Sequence, residues 1–99
     1  GTSKGTQSKL GMTVTEITSS VARQLGISDP RGVAITAVEK GSVAYQAGLQ
    51  VGDVIRQIGD HPTPHVDEFE KLISQLRSKD RTILLIERHG ALYFVSLEL

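Results

Sequence analysis

Residues 41–55 read Gly-Ser-Val-Ala-Tyr-Gln-Ala-Gly-Leu-Gln-Val-Gly-Asp-Val-Ile, the most specific pattern in the chain. The Ser42 hydroxyl can accept a hydrogen bond from the first turn of a short helix, and Gly48 is typical of a helix end. The loop after Gly48 leads to Asp53 and then to a predicted strand over residues 54–58. The stretch therefore predicts a short helix, a glycine-rich loop and a strand.

The chain on either side alternates short strands and helices. Apolar and polar residues alternate over residues 12–17, as in a half-buried strand. Apolar residues recur with a helical period over residues 66–76, which predicts the longest helix. The remaining predicted elements are a helix over residues 20–25, a strand over residues 33–38, and strands over residues 82–88 and 92–97 joined by a tight turn at His89-Gly90. This order predicts an α+β fold, a curled antiparallel sheet with helices closing its open ends.

Composition limits the classes of protein to consider. The chain has 99 residues, enough for one domain, and we expect residues 10–99 to form it. Residues 1–9 lack an apolar anchor and are predicted to be a flexible linker or a remnant of cloning. A formal net charge of zero argues against nucleic-acid binding, and the absence of cysteine excludes thiol catalysis and Cys-ligated zinc. No apolar stretch approaches the ~20 residues of a membrane span.

The two prolines of residues 59–64 bear on both the local structure and the question of metal binding. Pro62 and Pro64 predict an irregular segment over residues 59–64, because proline cannot donate a hydrogen bond to a sheet. The same prolines keep His61 and His65 off a common helix face, so we expect exposed loop histidines and no metal or other cofactor. His65 is expected to precede or cap the long helix.

The pattern G-S-x-A-x-x-A-G-L-x-x-G-D-V-I over residues 41–55 resembles the signature of PDZ domains, especially those of bacterial HtrA/Deg serine proteases. The stretch Leu10-Gly11-Met12-Thr13-Val14 resembles the carboxylate-binding loop of that family and the strand after it. The resemblance covers residues 10–99, and the start of the chain looks most like the second, C-terminal PDZ domain of such a protease. It implies a circularly permuted fold, a PDZ-like curled antiparallel β-sandwich or partial barrel in which strand 92–97 supplies the strand that opens an animal PDZ domain.

The resemblance also implies a ligand groove between strand 12–17 and helix 66–76. A peptide would add to the strand edge through main-chain hydrogen bonds. Its carboxylate would meet the backbone N–H groups of Leu10, Gly11 and Met12, with Lys9 adding favourable charge nearby. The expected strand and pocket residues are Thr13, Val14, Phe69, Ile73 and Leu76. The simpler interpretation of these residues is an ordinary glycine before a strand and a helix stripe that packs the core.

Phe69 stands where many animal PDZ domains carry a histidine that binds a ligand hydroxyl. Because Phe69 has no such donor, the resemblance implies an apolar ligand residue two positions before the C-terminus. Asp53 recurs in the motif and is expected to be structural, its carboxylate accepting hydrogen bonds from loop N–H groups. No nucleophile and base stand in a supporting context, so we expect no catalytic residue in this chain.

The leading hypothesis is a peptide-binding module that recognises apolar C-termini or exposed extended segments. It would serve substrate selection or regulation in an HtrA/Deg-like serine protease of the periplasm or cell envelope, next to the protease domain and neighbouring subunits. The alternatives are an assembly element between subunits of the protease oligomer, or a PDZ domain of another envelope protease or secretion component. Neither nucleic-acid binding nor direct membrane insertion is expected.

Overall fold

A computed structural model describes residues 6–7, 10–77 and 79–99 of the chain. The strands are β1 (Thr6–Gln7), β2 (Met12–Glu16), β3 (Val33–Val38), β4 (Val54–Ile58), β5 (His61–Pro62), β6 (Arg81–Arg88) and β7 (Ala91–Glu98). The helices are α1 (Ser19–Leu25), α2 (Val43–Gln46) and α3 (Val66–Ser74). No helix among the described residues has both the length and the apolar character to cross a membrane.

The strands form one antiparallel sheet. The order across it is β1-β2-β3-β4-β6-β7, and β5 pairs with β4. Because β1 and β7 stand at opposite ends without pairing, the sheet is open and does not close into a barrel. The prediction of a small α+β domain on an antiparallel sheet is confirmed.

The core lies between the sheet and α3. Phe69 and Ile73 of α3 are buried against apolar side chains from most strands. Burial of one such large apolar side chain contributes roughly 1.5–3 kcal/mol, so α3 is held mainly by packing and only weakly by its intrinsic helix propensity. The buried core cluster comprises Leu10, Met12, Val14, Val33, Ile35, Ala44, Leu49, Ile55, Ile58, Phe69, Ile73, Leu84, Ile86 and Leu97.

The hairpin turn between β6 and β7 agrees with the sequence prediction. His89 has φ 53° and Gly90 has φ 81°, so both turn residues are left-handed. Two left-handed residues are what a tight two-residue hairpin turn requires, because their twist matches that of the flanking strands. The β6–β7 pairs then continue in register from Arg88↔Ala91 to Arg81↔Glu98.

Three sequence predictions need correction or stay open. The segment expected to be irregular contains β5, whose Pro62 pairs with Gln57; a short strand on the rim tolerates proline. The long helix ends at Ser74, with Gln75 as its C-cap, so Leu76 lies beyond it. Within the predicted linker, Thr6–Gln7 pair with β2, and the other residues of the segment 1–9 lie outside the described part of the chain, so the linker stays a prediction.

Candidate functional site

The loop before β2 is anchored to the segment around α2. The carbonyl of Leu10 accepts a hydrogen bond from the Ala44 N–H at 3.0 Å, and the carbonyl of Gly11 accepts one from the Glu39 N–H at 2.7 Å. Gly11 has φ 86°, and a Cβ placed on it would lie 2.2 Å from the Ser42 Cβ. Glycine is therefore required at position 11 for two reasons, a left-handed backbone and a close approach.

The hydrogen bonds that the Leu10 and Gly11 carbonyls accept determine the direction of the N–H groups of Gly11 and Met12. All described peptide bonds are trans, and in a trans peptide the N–H points opposite to the C=O. The Gly11 N–H is therefore directed away from Ala44, and the Met12 N–H away from Glu39. Two successive donors thus point away from the α2 segment.

The apolar residues predicted for the pocket lie together in the buried core. Leu10, Met12, Val14, Phe69 and Ile73 are each at most 3% exposed and belong to the core cluster. They come from the loop, from β2 and from α3, so the structure places the two predicted walls in contact. All five side chains are therefore buried, and none of them presents an open apolar surface in this structure.

The other predicted site residues lie at the margin of this cluster. Leu76 is half-buried and packs against the core from beyond the end of α3, with its N–H donating to the Ile73 carbonyl at 3.0 Å. Thr13 is half-buried, and its carbonyl accepts a hydrogen bond from the Thr36 hydroxyl at 3.3 Å. Lys9, expected to add charge to the loop, lies outside the described residues.

Glu16 connects the end of β2 to the start of α3. Its Oε2 accepts a hydrogen bond from the Val66 N–H at 2.8 Å, and its Oε1 lies 3.1 Å from Nδ1 of His65. His65 directly precedes the helix at the N-cap position, which is one of the two expected placements, but its side chain makes no cap hydrogen bond. The carboxylate that satisfies the helix end comes from a residue about fifty positions earlier, and no local sequence pattern reveals it.

The pKa of His65 is raised, first by the hydrogen bond with Glu16 and next by the negative charge of Glu16. Glu68 and Asp67 in the first turn of α3 raise it further. The ion pair between β2 and α3 is therefore favoured over a wider range of pH than an isolated histidine would allow.

Asp53 holds the glycine-rich loop, as expected, and also pairs with a residue that sequence reasoning missed. Its Oδ2 accepts a hydrogen bond from the Gln50 N–H at 2.9 Å. Arg88 binds the same carboxylate in a bidentate manner, Nε to Oδ1 at 2.8 Å and Nη2 to Oδ2 at 2.7 Å, and also donates to the Gly48 carbonyl at 3.0 Å. The hydrogen bond to Asp53 raises the pKa of Arg88. Asp53 is thus a structural anchor that ties the loop to β6.

Two clefts open elsewhere on the surface. One of about 490 Å³ has apolar walls from Pro62, Pro64, Leu85 and Leu92 and charged residues, including Arg56, on its rim. The other, of about 270 Å³, lies beside Gly26, the Gly52 loop and the hairpin turn. Among the described residues, no group of three or more carboxylate and imidazole side chains is arranged to hold a metal ion.

Comparison with known proteins identifies the fold. A family model described as "PDZ domain" matches residues 34–88, more than half of the chain. The chain belongs to the PDZ domain family. Two solved structures confirm the fold. The first is an HtrA-type protease AlgW with decapeptide, with a TM-score of 0.84 and 23% sequence identity. The alignment covers 96% of this chain and 28% of that one. The HtrA3 PDZ domain bound to a phage-derived ligand (FGRWV) has TM-score 0.76 at 20% identity, over 90% of this chain and 81% of that one.

The similar curated proteins are much longer than this PDZ domain. A probable periplasmic serine endoprotease, DegP-like, of Chlamydia trachomatis is 32% identical over 83% of this chain and 16% of its own length. A protein of the same description from Pseudomonas putida is 30% identical over 82% of this chain and 17% of its own length. The chain thus spans less than a fifth of these relatives, and the resemblance to HtrA/Deg PDZ domains is confirmed.

Proposed function

We propose that this PDZ domain binds apolar C-termini, or exposed extended segments, as an antiparallel strand on the edge of β2. The observation that carries the proposal is the loop at Gly11, where two successive N–H groups point away from the α2 segment. Such a pair of donors can bind a carboxylate without a charged side chain. β2 follows directly, so a peptide whose carboxylate meets this loop runs antiparallel to β2.

The residues of the neighbouring walls support a preference for apolar ligands. Val14 and Met12 on β2, and Phe69 and Ile73 on α3, have apolar side chains. Phe69 has no polar atom to bind a Ser or Thr hydroxyl, so the ligand residue two before the terminus is proposed to be apolar.

The names of similar proteins support a proposal about the wider role of the domain. DegP-like relatives are named periplasmic serine endoproteases, and the AlgW structure contains a decapeptide. We propose that this domain is part of a longer envelope serine protease, where it selects or positions substrates or regulates cleavage. Hydrolysis belongs to another part of that protein, and this domain supplies peptide binding.

The test is a chemical-shift titration of the domain with a short peptide ending in Val, run beside the same peptide with an amidated terminus. We expect shifts at Leu10–Val14 and Phe69–Leu76 with the free acid. Amidation should weaken binding about tenfold or more, since a charge-assisted hydrogen bond contributes roughly 1.5–3 kcal/mol. Equal shifts with both peptides would contradict carboxylate recognition, and no shifts with a panel of apolar peptides would contradict the groove.

One observation favours a second candidate, an assembly role. Leu92 and Phe94 of β7 are 61% and 75% exposed, and Ile83 of β6 is 51% exposed. Large apolar side chains grouped on one exposed face often mark a contact between proteins. If this face joins two copies of the chain, sedimentation will show concentration-dependent dimers that Phe94→Ser removes, whereas Tyr45→Ser, an exposed control outside the face, will not change them. A monomer at all concentrations would contradict this candidate.

A further inference from the structure

The edge of β2 that a peptide needs is already paired. β2 has two edges: β3 occupies one from Met12↔Val38 to Glu16↔Val33. β1 occupies part of the other, with the pairs Gln7↔Thr13 and Thr6↔Val14. Because each strand edge can bond only one partner strand at a time, a peptide that adds to β2 must take the edge where β1 lies.

β1 also has the orientation and the position of the proposed ligand. It is antiparallel to β2, which is the direction of a peptide whose carboxylate meets the Gly11 loop. The β2 residues that it pairs with, Thr13 and Val14, are the ones that follow the loop and would pair with the last residues of the peptide. β1 and the peptide therefore compete for the same backbone groups.

The apolar side chains proposed to contact the ligand are buried in the structure in which β1 is paired with β2. These side chains belong to Met12, Val14, Phe69 and Ile73. We infer that Thr6–Gln7 act as an intramolecular competitor, so that the domain rests in a self-occupied state from which a peptide must displace β1. This inference rests on the proposed function, because it concerns regulation of the same β2 edge.

The pairing is short enough to be displaced. Among the residues that the structure describes, two on β1 pair with β2, whereas β2 has three further residues for a longer ligand, Met12 at its start and Thr15 and Glu16 at its end. A tethered segment competes at an effective concentration on the order of millimolar. Since the observed Kd is the intrinsic Kd divided by the fraction of open molecules, removal of β1 should tighten peptide binding about three- to tenfold.

The test replaces both residues of β1. In the double variant Thr6→Pro/Gln7→Pro, the segment loses both N–H donors and no longer pairs as a strand. In the control Thr6→Val/Gln7→Thr, the residues keep high strand propensity. The Kd of a Val-terminated peptide is measured by titration with each protein and with the wild type, and the amidated peptide is measured in parallel. We expect tighter binding of the free acid only to the proline variant.

The outcomes separate this inference from the proposed function. If the free acid binds wild type and proline variant with the same Kd, or binds the variant more weakly, β1 is not a competitor but peptide binding stands. If neither the wild type nor either variant binds the free acid, the proposed function is wrong, and the inference that rests on it is wrong as well. Wild-type NMR gives a check without substitution: the contact between Thr6 and Val14 should disappear at saturating peptide, and its persistence with peptide bound would overturn the inference.

Discussion

The two ends of the sheet differ in the elements that pack against them. At one end, β2 is backed by α3 and buried side chains, and its outer edge carries the two-residue strand β1. At the other end, β7 pairs over its whole length with β6 and leaves Leu92 and Phe94 exposed. A strand edge becomes a candidate peptide site when a loop of N–H groups and a helix wall accompany it. Exposed apolar side chains without these features indicate a contact surface instead.

The largest expected effect compares the two phenylalanines at these ends. Phe69 is fully buried and Phe94 is 75% exposed. Phe69→Ala should lower the free energy of unfolding by about 3–5 kcal/mol, because it leaves a cavity between β2 and α3. Phe94→Ala should change it by less than about 0.5 kcal/mol. Urea unfolding of both variants measures the difference, and similar losses would show that the β7 face packs as part of the core.

A smaller effect is expected from two left-handed glycines. Gly11→Ala combines φ 86° with a Cβ 2.2 Å from the Ser42 Cβ, so it should cost about 2–4 kcal/mol. Gly90→Ala, in the β6–β7 turn, has φ 81° with open space around the Cβ, so it should cost only about 1–2 kcal/mol. Thermal unfolding midpoints of the two variants provide the comparison. Equal midpoints would mean that Ser42 moves aside without cost.

The smallest effect is a pH dependence confined to the β2 end. The pKa of His65 is raised in the folded state by Glu16, so the ion pair stabilises the protein fully below the unfolded pKa and is lost as pH rises through the folded pKa. The exposed pair Arg81–Glu98, with Nη2 and Oε2 3.7 Å apart, lies at the other end of the sheet. NMR titration should show a lower His65 pKa in Glu16→Gln than in the wild type.

The matched control for that titration is Arg81→Ala, which should leave the His65 pKa unchanged because Arg81 belongs to the opposite end of the sheet. A His65 pKa that does not respond to Glu16→Gln would show that the contact between β2 and α3 is absent in solution. The unfolding midpoint should fall slightly with rising pH in wild type and fall less in Glu16→Gln, where Glu68 and Asp67 still raise the His65 pKa.

Much of the fold could be predicted because its signals are local. The Ser42 cap, the left-handed turn at His89 and Gly90, and the α3 stripe each depend on residues within a few positions. The candidate loop at Gly11 could be named from its pattern. The closed state of the pocket could not, because it depends on how α3 packs against β2.

The amino-acid sequence was sufficient to predict the order of the five longer strands and the three helices, the apolar character of the pocket walls and the resemblance to PDZ domains, since these depend on short spacings and residue types. The long-range pairs became visible only in the folded chain: Arg88 with Asp53, Glu16 with Val66, and Gly11 against Ser42. The tertiary structure also decided that Thr6–Gln7 lie on the edge of β2. The physical reason is that sheet register and helix docking bring together residues 31 to 50 positions apart, and no local propensity encodes which of them meet.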